Sequence, residues 1–144
     1  MPITSQQEFF VQWHLTEKCN LRCSHCYQTG VAPDELSRRE IGEVLAEIGD
    51  MLKAWEKGSG LVFSPSINVT GGEPFLRPDL FEILAAIREQ GFAVSLLTNG
   101  TLVDAQKAAA LALLGISGVQ VSLEGPAEIH DSIRGQGSFA ASCR

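Results

Sequence analysis

Cys19, Cys23 and Cys26 stand in the run Cys19-Asn20-Leu21-Arg22-Cys23-Ser24-His25-Cys26, a C-x3-C-x2-C spacing that offers three soft thiolates from one short loop. Such a donor set suits iron–sulfur ligation. A four-iron cluster normally takes four protein thiolates, so three leave one iron open to a substrate or cofactor. The alternative is a zinc site completed by His14 or His25, but zinc loops favour paired C-x2-C knuckles and the sequence has no second knuckle. An inert structural cluster fits poorly beside Lys18, Arg22 and His25, whose charge would favour thiolates. Cys143, at the far end of the chain, reads as a free thiol rather than a further ligand.

The elements that must hold this loop alternate between strand and helix. A β-branched and aromatic run, Phe9 to Leu15, predicts a first strand that empties into the cysteine loop, with Phe9, Phe10 and Trp13 as packing residues. A helix then starts at Ser37, where Glu40 completes a capping box, and Ile41, Val44, Leu45, Ile48, Leu52 and Trp55 recur at helical spacing until Gly58 and Gly60. Strand Ser66 to Thr70, helix Pro78 to Gln90 and strand Phe92 to Thr98 follow. Asp104 caps a third helix ended by Gly115, and Gly118 to Leu123 reads as a fourth strand. Strands separated by helices pair in parallel through right-handed crossovers, so their C-terminal ends share one sheet edge, the usual place for an active site.

The unusual loops all fall on that edge. In Gly71-Gly72-Glu73-Pro74, two glycines would let backbone approach a ligand closely and a carboxylate could pair with an ammonium group. Read alone, the run is an ordinary strand-to-helix turn; its place after the second strand of a cysteine-bearing chain favours the cradle. Asn99, in Thr98-Asn99-Gly100, would face a bound ligand or simply make an Asn-Gly turn.

Composition excludes other classes. A chain of 144 residues, 44% hydrophobic and 19% charged, buries one core and reads as a single unit, residues 1–144. The net charge of −6, without a Lys/Arg-rich run, argues against nucleic acid or an anionic membrane surface as partner. There is no membrane-length apolar stretch, and the N-terminal run lacks the order of a secretory signal, so a reducing, cytoplasmic setting is expected.

Taken together, C-N-L-R-C-S-H-C, T-G-G-E-P, T-N-G and V-S-L-E-G-P, each at a strand end and in this order, resemble the radical S-adenosylmethionine superfamily from about Phe9 to Phe139. The resemblance implies an incomplete partial (β/α) barrel with a parallel sheet, about four of six units, and a C-terminally truncated core ending where a fourth helix should start. It implies a [4Fe-4S] cluster on the three cysteines and S-adenosylmethionine on the open iron, cleaved reductively to a deoxyadenosyl radical. An electron donor such as flavodoxin or ferredoxin would feed the cluster. By the same resemblance Glu73 and the two glycines would cradle the methionine moiety, while Ser122 and Arg134 would hold the ribose and carboxylate. The bland alternative for that pair is a turn serine and a surface arginine. The family has an aromatic residue near the adenine just before the third cysteine; here it is His25, which can stack or be a plain loop histidine. His130 and Asp131 would order their loop.

The segments are most similar to the branch that modifies peptides, proteins or cofactor precursors and carries a cysteine-rich (SPASM-type) extension, which this sequence lacks. A missing C-terminal part or partner chain would then complete the site, and the isolated chain, with an uncovered apolar face and an open edge, is expected to be marginally stable. A cluster-holding electron carrier or a non-catalytic remnant are the other readings.

Overall fold

The computed structural model describes residues 6–28 and 34–144. The N-terminal five residues and the middle of the long loop after the cysteines, both included in the readings above, lie outside the described residues. The elements are β1 (Gln6–His14), α1 (Arg38–Ser59), β2 (Val62–Thr70), a short 3-10 turn (Pro74–Leu76), α2 (Leu80–Glu89), β3 (Ala93–Thr98), α3 (Ala105–Leu113), β4 (Gly118–Val121), α4 (Ala127–Arg134) and α5 (Ser138–Ser142). The sheet runs β1-β2-β3-β4 and every pairing is parallel.

Local chemistry sets the helix ends. Ser37 and Glu40 form both arms of the capping box of α1, and Gly60 closes it in the left-handed conformation at φ 70°. Asp104 accepts from the Lys107 N–H at 2.8 Å to start α3. Asp79 precedes α2 but makes no side-chain cap, because Arg77 takes its carboxylate through Nε and Nη2 at 2.9 and 3.0 Å. Arg77 is itself buried and also donates to the carbonyls of Leu15 and Leu36, pinning the end of β1 to the entry of α1.

One face of the sheet carries the core. Val11, Ile67, Val69, Val94 and Leu96 pack under Ile41, Leu45 and Leu52 of α1, Leu80, Ile83, Leu84 and Ile87 of α2 and Leu111 of α3. Burying these side chains supplies roughly 1.5–3 kcal/mol each. All three crossovers therefore run over the same face, as their common handedness requires. The first half of β2 pairs only with β1, since β3 joins from Ser66 onward, and this open side tolerates Pro65 and extends the strand four residues before its expected start.

Two expectations are corrected. Phe10 is exposed, not core, because it alternates to the opposite face from Phe9 and Trp13. Trp55 is half exposed and closes the end of the core by meeting Phe9 edge-on, with ring centroids 6.1 Å apart. The expected uncovered apolar face is present at β4, where Val119 and Val121, in register with Leu96 and Thr98, are exposed, whereas the opposite face of the sheet is largely polar: Gln12, Ser66, Asn68 and Ser95 alternate onto it, and the Ser95 hydroxyl donates to Asn68 Oδ1 at 3.1 Å. The expected open edge is present, for every residue of β4 is exposed.

The segment after β4 also differs from expectation. It forms two short helices where a loop was read, α4 beginning behind Pro126 and α5 capped by Asp131, whose carboxylate accepts the N–H groups of Gly137 and Phe139 at 2.7 and 2.8 Å. Those bonds hold the Asp131 carboxyl below its usual range.

Candidate cofactor site

Cys19, Cys23 and Cys26 come together at the C-terminal edge of the sheet, on the wall of an open cavity of about 220 Å³. The loop that carries them is shaped by its own backbone: Cys26 N–H bonds to the Cys23 carbonyl at 3.0 Å, and Leu21 N–H points at Cys19 Sγ at 3.4 Å. Arg22 folds back to donate to the carbonyls of Cys19 and Leu21. Burial pushes the Cys23 thiol up, Arg134 pulls it down, and the neighbouring Cys19 and Cys26 push it up again, so the three sulfurs feel one another. The cation acting on Cys23 is therefore Arg134. The expected Lys18, Arg22 and His25 are occupied by Glu35, loop carbonyls and Glu124 respectively.

Each following strand end is laced to this loop. Gly72 N–H donates to the Thr16 carbonyl at 2.7 Å and Glu73 N–H to the Lys18 carbonyl at 2.8 Å. A Cβ on Gly72 would fall 2.3 Å from Lys18 O and 2.9 Å from Cys19 Cβ, and one on Gly71 would fall 2.7 Å from Thr16 O. These glycines answer to the passage of the cysteine loop itself, and neither has positive φ. From the third strand end, Asn99 Nδ2 donates to Asn20 Oδ1 at 2.9 Å, and Asn20 Nδ2 donates to Thr101 Oγ1 at 2.8 Å. From α4, the Ile133 carbonyl accepts the Ser24 N–H at 2.8 Å.

Of the residues singled out in the sequence, His25, Gly71, Gly72, Asn99, Ser122 and Arg134 line the same cavity as the cysteines. Glu73 does not. It is fully buried behind the wall, with one carboxylate oxygen accepting the Thr98 hydroxyl and the Phe75 N–H, and the other the Asn99 N–H. The Glu73 carboxylate, expected to pair with a ligand ammonium, is here engaged by its own turn and by the turn after β3. Cys143 sits exposed outside the cavity lining.

Glu124 is the residue that sequence reasoning passed over, although it stands inside the quoted V-S-L-E-G-P run. Its Oε1 accepts from Arg134 Nε at 2.9 Å and Nη2 at 2.6 Å, and lies 3.4 Å from His25 Nε2. The Arg134 bond holds the Glu124 carboxyl below its ordinary range. Its backbone N–H donates to the buried His130 at Nδ1, 3.3 Å away.

The donor set fits a four-iron cluster. A cubane takes each thiolate at a different iron. Three cysteines in one open cavity with no fourth in its lining match a cluster with one iron left for another ligand.

Known proteins agree. The model of the Radical SAM superfamily matches residues 13–144. The chain is 38% identical over 135 residues to Fe-coproporphyrin III synthase of Methanosarcina barkeri, covering 93% of this chain and 32% of that protein. It is 36% identical over 135 residues to the mycofactocin maturase MftC of Mycobacterium ulcerans, covering 92% and 34%. Among solved structures, anSMEcpe with bound AdoMet superposes with a TM-score of 0.74 at 23% identity, over 97% of this chain and 39% of that one. SuiB of Streptococcus suis bound to S-adenosylmethionine gives 0.67 at 18%, over 94% and 29%. These likenesses establish the partial-barrel fold, and the chain spans about a third of the length of the curated relatives it matches. With its cysteine spacing, parallel sheet and family match all in agreement, the chain belongs to the radical SAM superfamily, whose cofactors are a [4Fe-4S] cluster and S-adenosylmethionine.

Proposed function

We propose that this chain binds one [4Fe-4S] cluster through Cys19, Cys23 and Cys26 and holds S-adenosylmethionine beside it, as the cofactor-binding part of a radical enzyme. When bound, the reduced cluster supplies one electron to the carbon–sulfur bond of the sulfonium, giving methionine and a deoxyadenosyl radical. The observation that carries this reading is the shared cavity: three thiolates, Gly71, Gly72, Asn99, Ser122 and Arg134 face one space.

The chain's own residues bind and orient. Arg134, with 13% of its side chain exposed, offers a directional fork to the methionine carboxylate, and Ser122 offers a hydroxyl to the ribose. His25 flanks the third thiolate as a flat surface for the adenine. Glu73 contributes from behind the wall by fixing the turn that carries Thr98 and Asn99. The substrate is a peptide, protein or cofactor precursor, in keeping with relatives named as mycofactocin maturases and as haem-type synthases. A flavodoxin or ferredoxin supplies the electron, and further chain or a partner completes the substrate side.

Anaerobic reconstitution, with iron and sulfide counted, followed by dithionite reduction and a search for deoxyadenosine, tests the reading. An intact cluster whose paramagnetic resonance spectrum is unmoved by S-adenosylmethionine, with no deoxyadenosine formed, would sink it.

A further inference from the structure

Arg134 does not stand free in the cavity wall. Two of its nitrogens, Nε and Nη2, converge on the single oxygen Glu124 Oε1, and Nη1 takes no partner among the described residues. Glu124 is held from two sides by α4: Arg134 grips its side chain, and His130, one helical turn earlier and fully buried, accepts its backbone N–H. The same Glu124 oxygen reaches His25 on the cysteine loop, and the Ile133 carbonyl of α4 takes the adjacent Ser24 N–H. One carboxylate thus joins the end of β4, helix α4 and the loop that bears the three thiols.

We propose that Glu124 is a positioning residue of the cofactor site, holding Arg134 with its remaining donors toward the cavity and tying α4 to the cysteine loop through His25. The inference rests on the reading of Arg134 as the group that meets the cofactor carboxylate. A long guanidinium side chain has many rotamers, and fixing it beforehand removes an ordering cost from binding. Without Glu124 the side chain of Arg134 loses both of its hydrogen bonds among the described residues. Arg134 would then no longer be fixed in one orientation toward the cavity.

The test is a titration of S-adenosylmethionine into the reconstituted, reduced chain, followed by the change in cluster paramagnetic resonance, with iron content and thermal midpoint measured alongside. Glu124→Ala should weaken binding about tenfold and Glu124→Gln, which keeps an acceptor oxygen at the same place, about threefold, with cluster content unchanged. Glu124→Ala combined with Arg134→Ala should bind no more than about twofold more weakly than Arg134→Ala alone, since the first residue acts through the second. The proposal is overturned if Glu124→Ala binds as tightly as the parent or tighter, or if the two effects multiply. Should Glu124→Ala lose its cluster, the same cycle built on Glu124→Gln decides by the same criterion. A parent chain with a full cluster that binds no S-adenosylmethionine would overturn the cofactor reading and this inference together, whereas a binding parent with an indifferent Glu124 removes the inference alone.

Discussion

Glu73 Oε2 accepts the backbone N–H of Asn99 at 2.8 Å, joining the ends of β2 and β3 through a carboxylate with no exposed surface. Its other oxygen takes the Thr98 hydroxyl at 2.8 Å. Glu73→Ala would strand a buried amide and a buried hydroxyl without an acceptor, at a cost of roughly 1–3 kcal/mol for each group left unpaired. Glu73→Gln should be milder but still destabilising, because one face of its amide turns a second donor on a donor. Urea denaturation of the chain checks this, and an unchanged midpoint for Glu73→Ala would count against the arrangement.

Gly72 and Gly49 make a matched pair. A methyl on Gly72 meets the Lys18 carbonyl at 2.3 Å, whereas one on Gly49, inside α1, meets nothing within 4 Å. Gly49→Ala should stabilise by about 0.5–1 kcal/mol, as expected for a helical position with room. Gly72→Ala should displace the cysteine loop and cut iron incorporation severely. Equal iron content in the two variants would contradict the close approach.

The thiolates should divide sharply. Replacing Cys19, Cys23 or Cys26 by Ser should abolish the visible charge-transfer absorption of the reconstituted cluster, while Cys143→Ser leaves it intact. Retention of a full cluster in any of the first three would remove that residue from the ligand set.

Acid should loosen the chain through Asp79. Its hydrogen bonds to Arg77, with that residue's charge behind them, hold the carboxyl below its ordinary value. A depressed folded-state pKa contributes stability that is present above the unfolded value, about 4, and is lost as pH falls through the lower folded value. The urea midpoint should therefore drop as the solution is acidified below that range, and more gently in Asp79→Asn. Parallel profiles for parent and variant would show that the Arg77 pairing carries no linkage.

Strand β4 predicts self-association. Its four residues are exposed, Val119 at 42% and Val121 at 37%, on an edge with unpaired backbone groups. Light scattering at rising concentration should show oligomers, and Val119→Lys should reduce them. A monodisperse parent at high concentration would argue that the edge is harmless.

Much of this was legible in the chain before folding. The C-x3-C-x2-C loop, the Ser37–Glu40 capping box and the Asp104 cap depend on residues a few positions apart, so their spacing alone carries the information. Helix α4 escaped notice because eight residues behind Pro126 offer too short a periodic run to separate from a loop.

The amino-acid sequence by itself determined the thiolate triad, the alternation of strand and helix, and hence a parallel sheet with its loops on one edge. Tertiary structure alone decided what those loops do to each other. Glu73 reaches Thr98 across 25 residues and Asn99 reaches Asn20 across 79, distances over which no local pattern operates. Whether a carboxylate faces a ligand or seals a turn, and whether an arginine stands free or is held by Glu124, depends on which strand ends the parallel register sets side by side. Burial and partnership are properties of that juxtaposition, and they turn a recognisable motif into a site with defined supports.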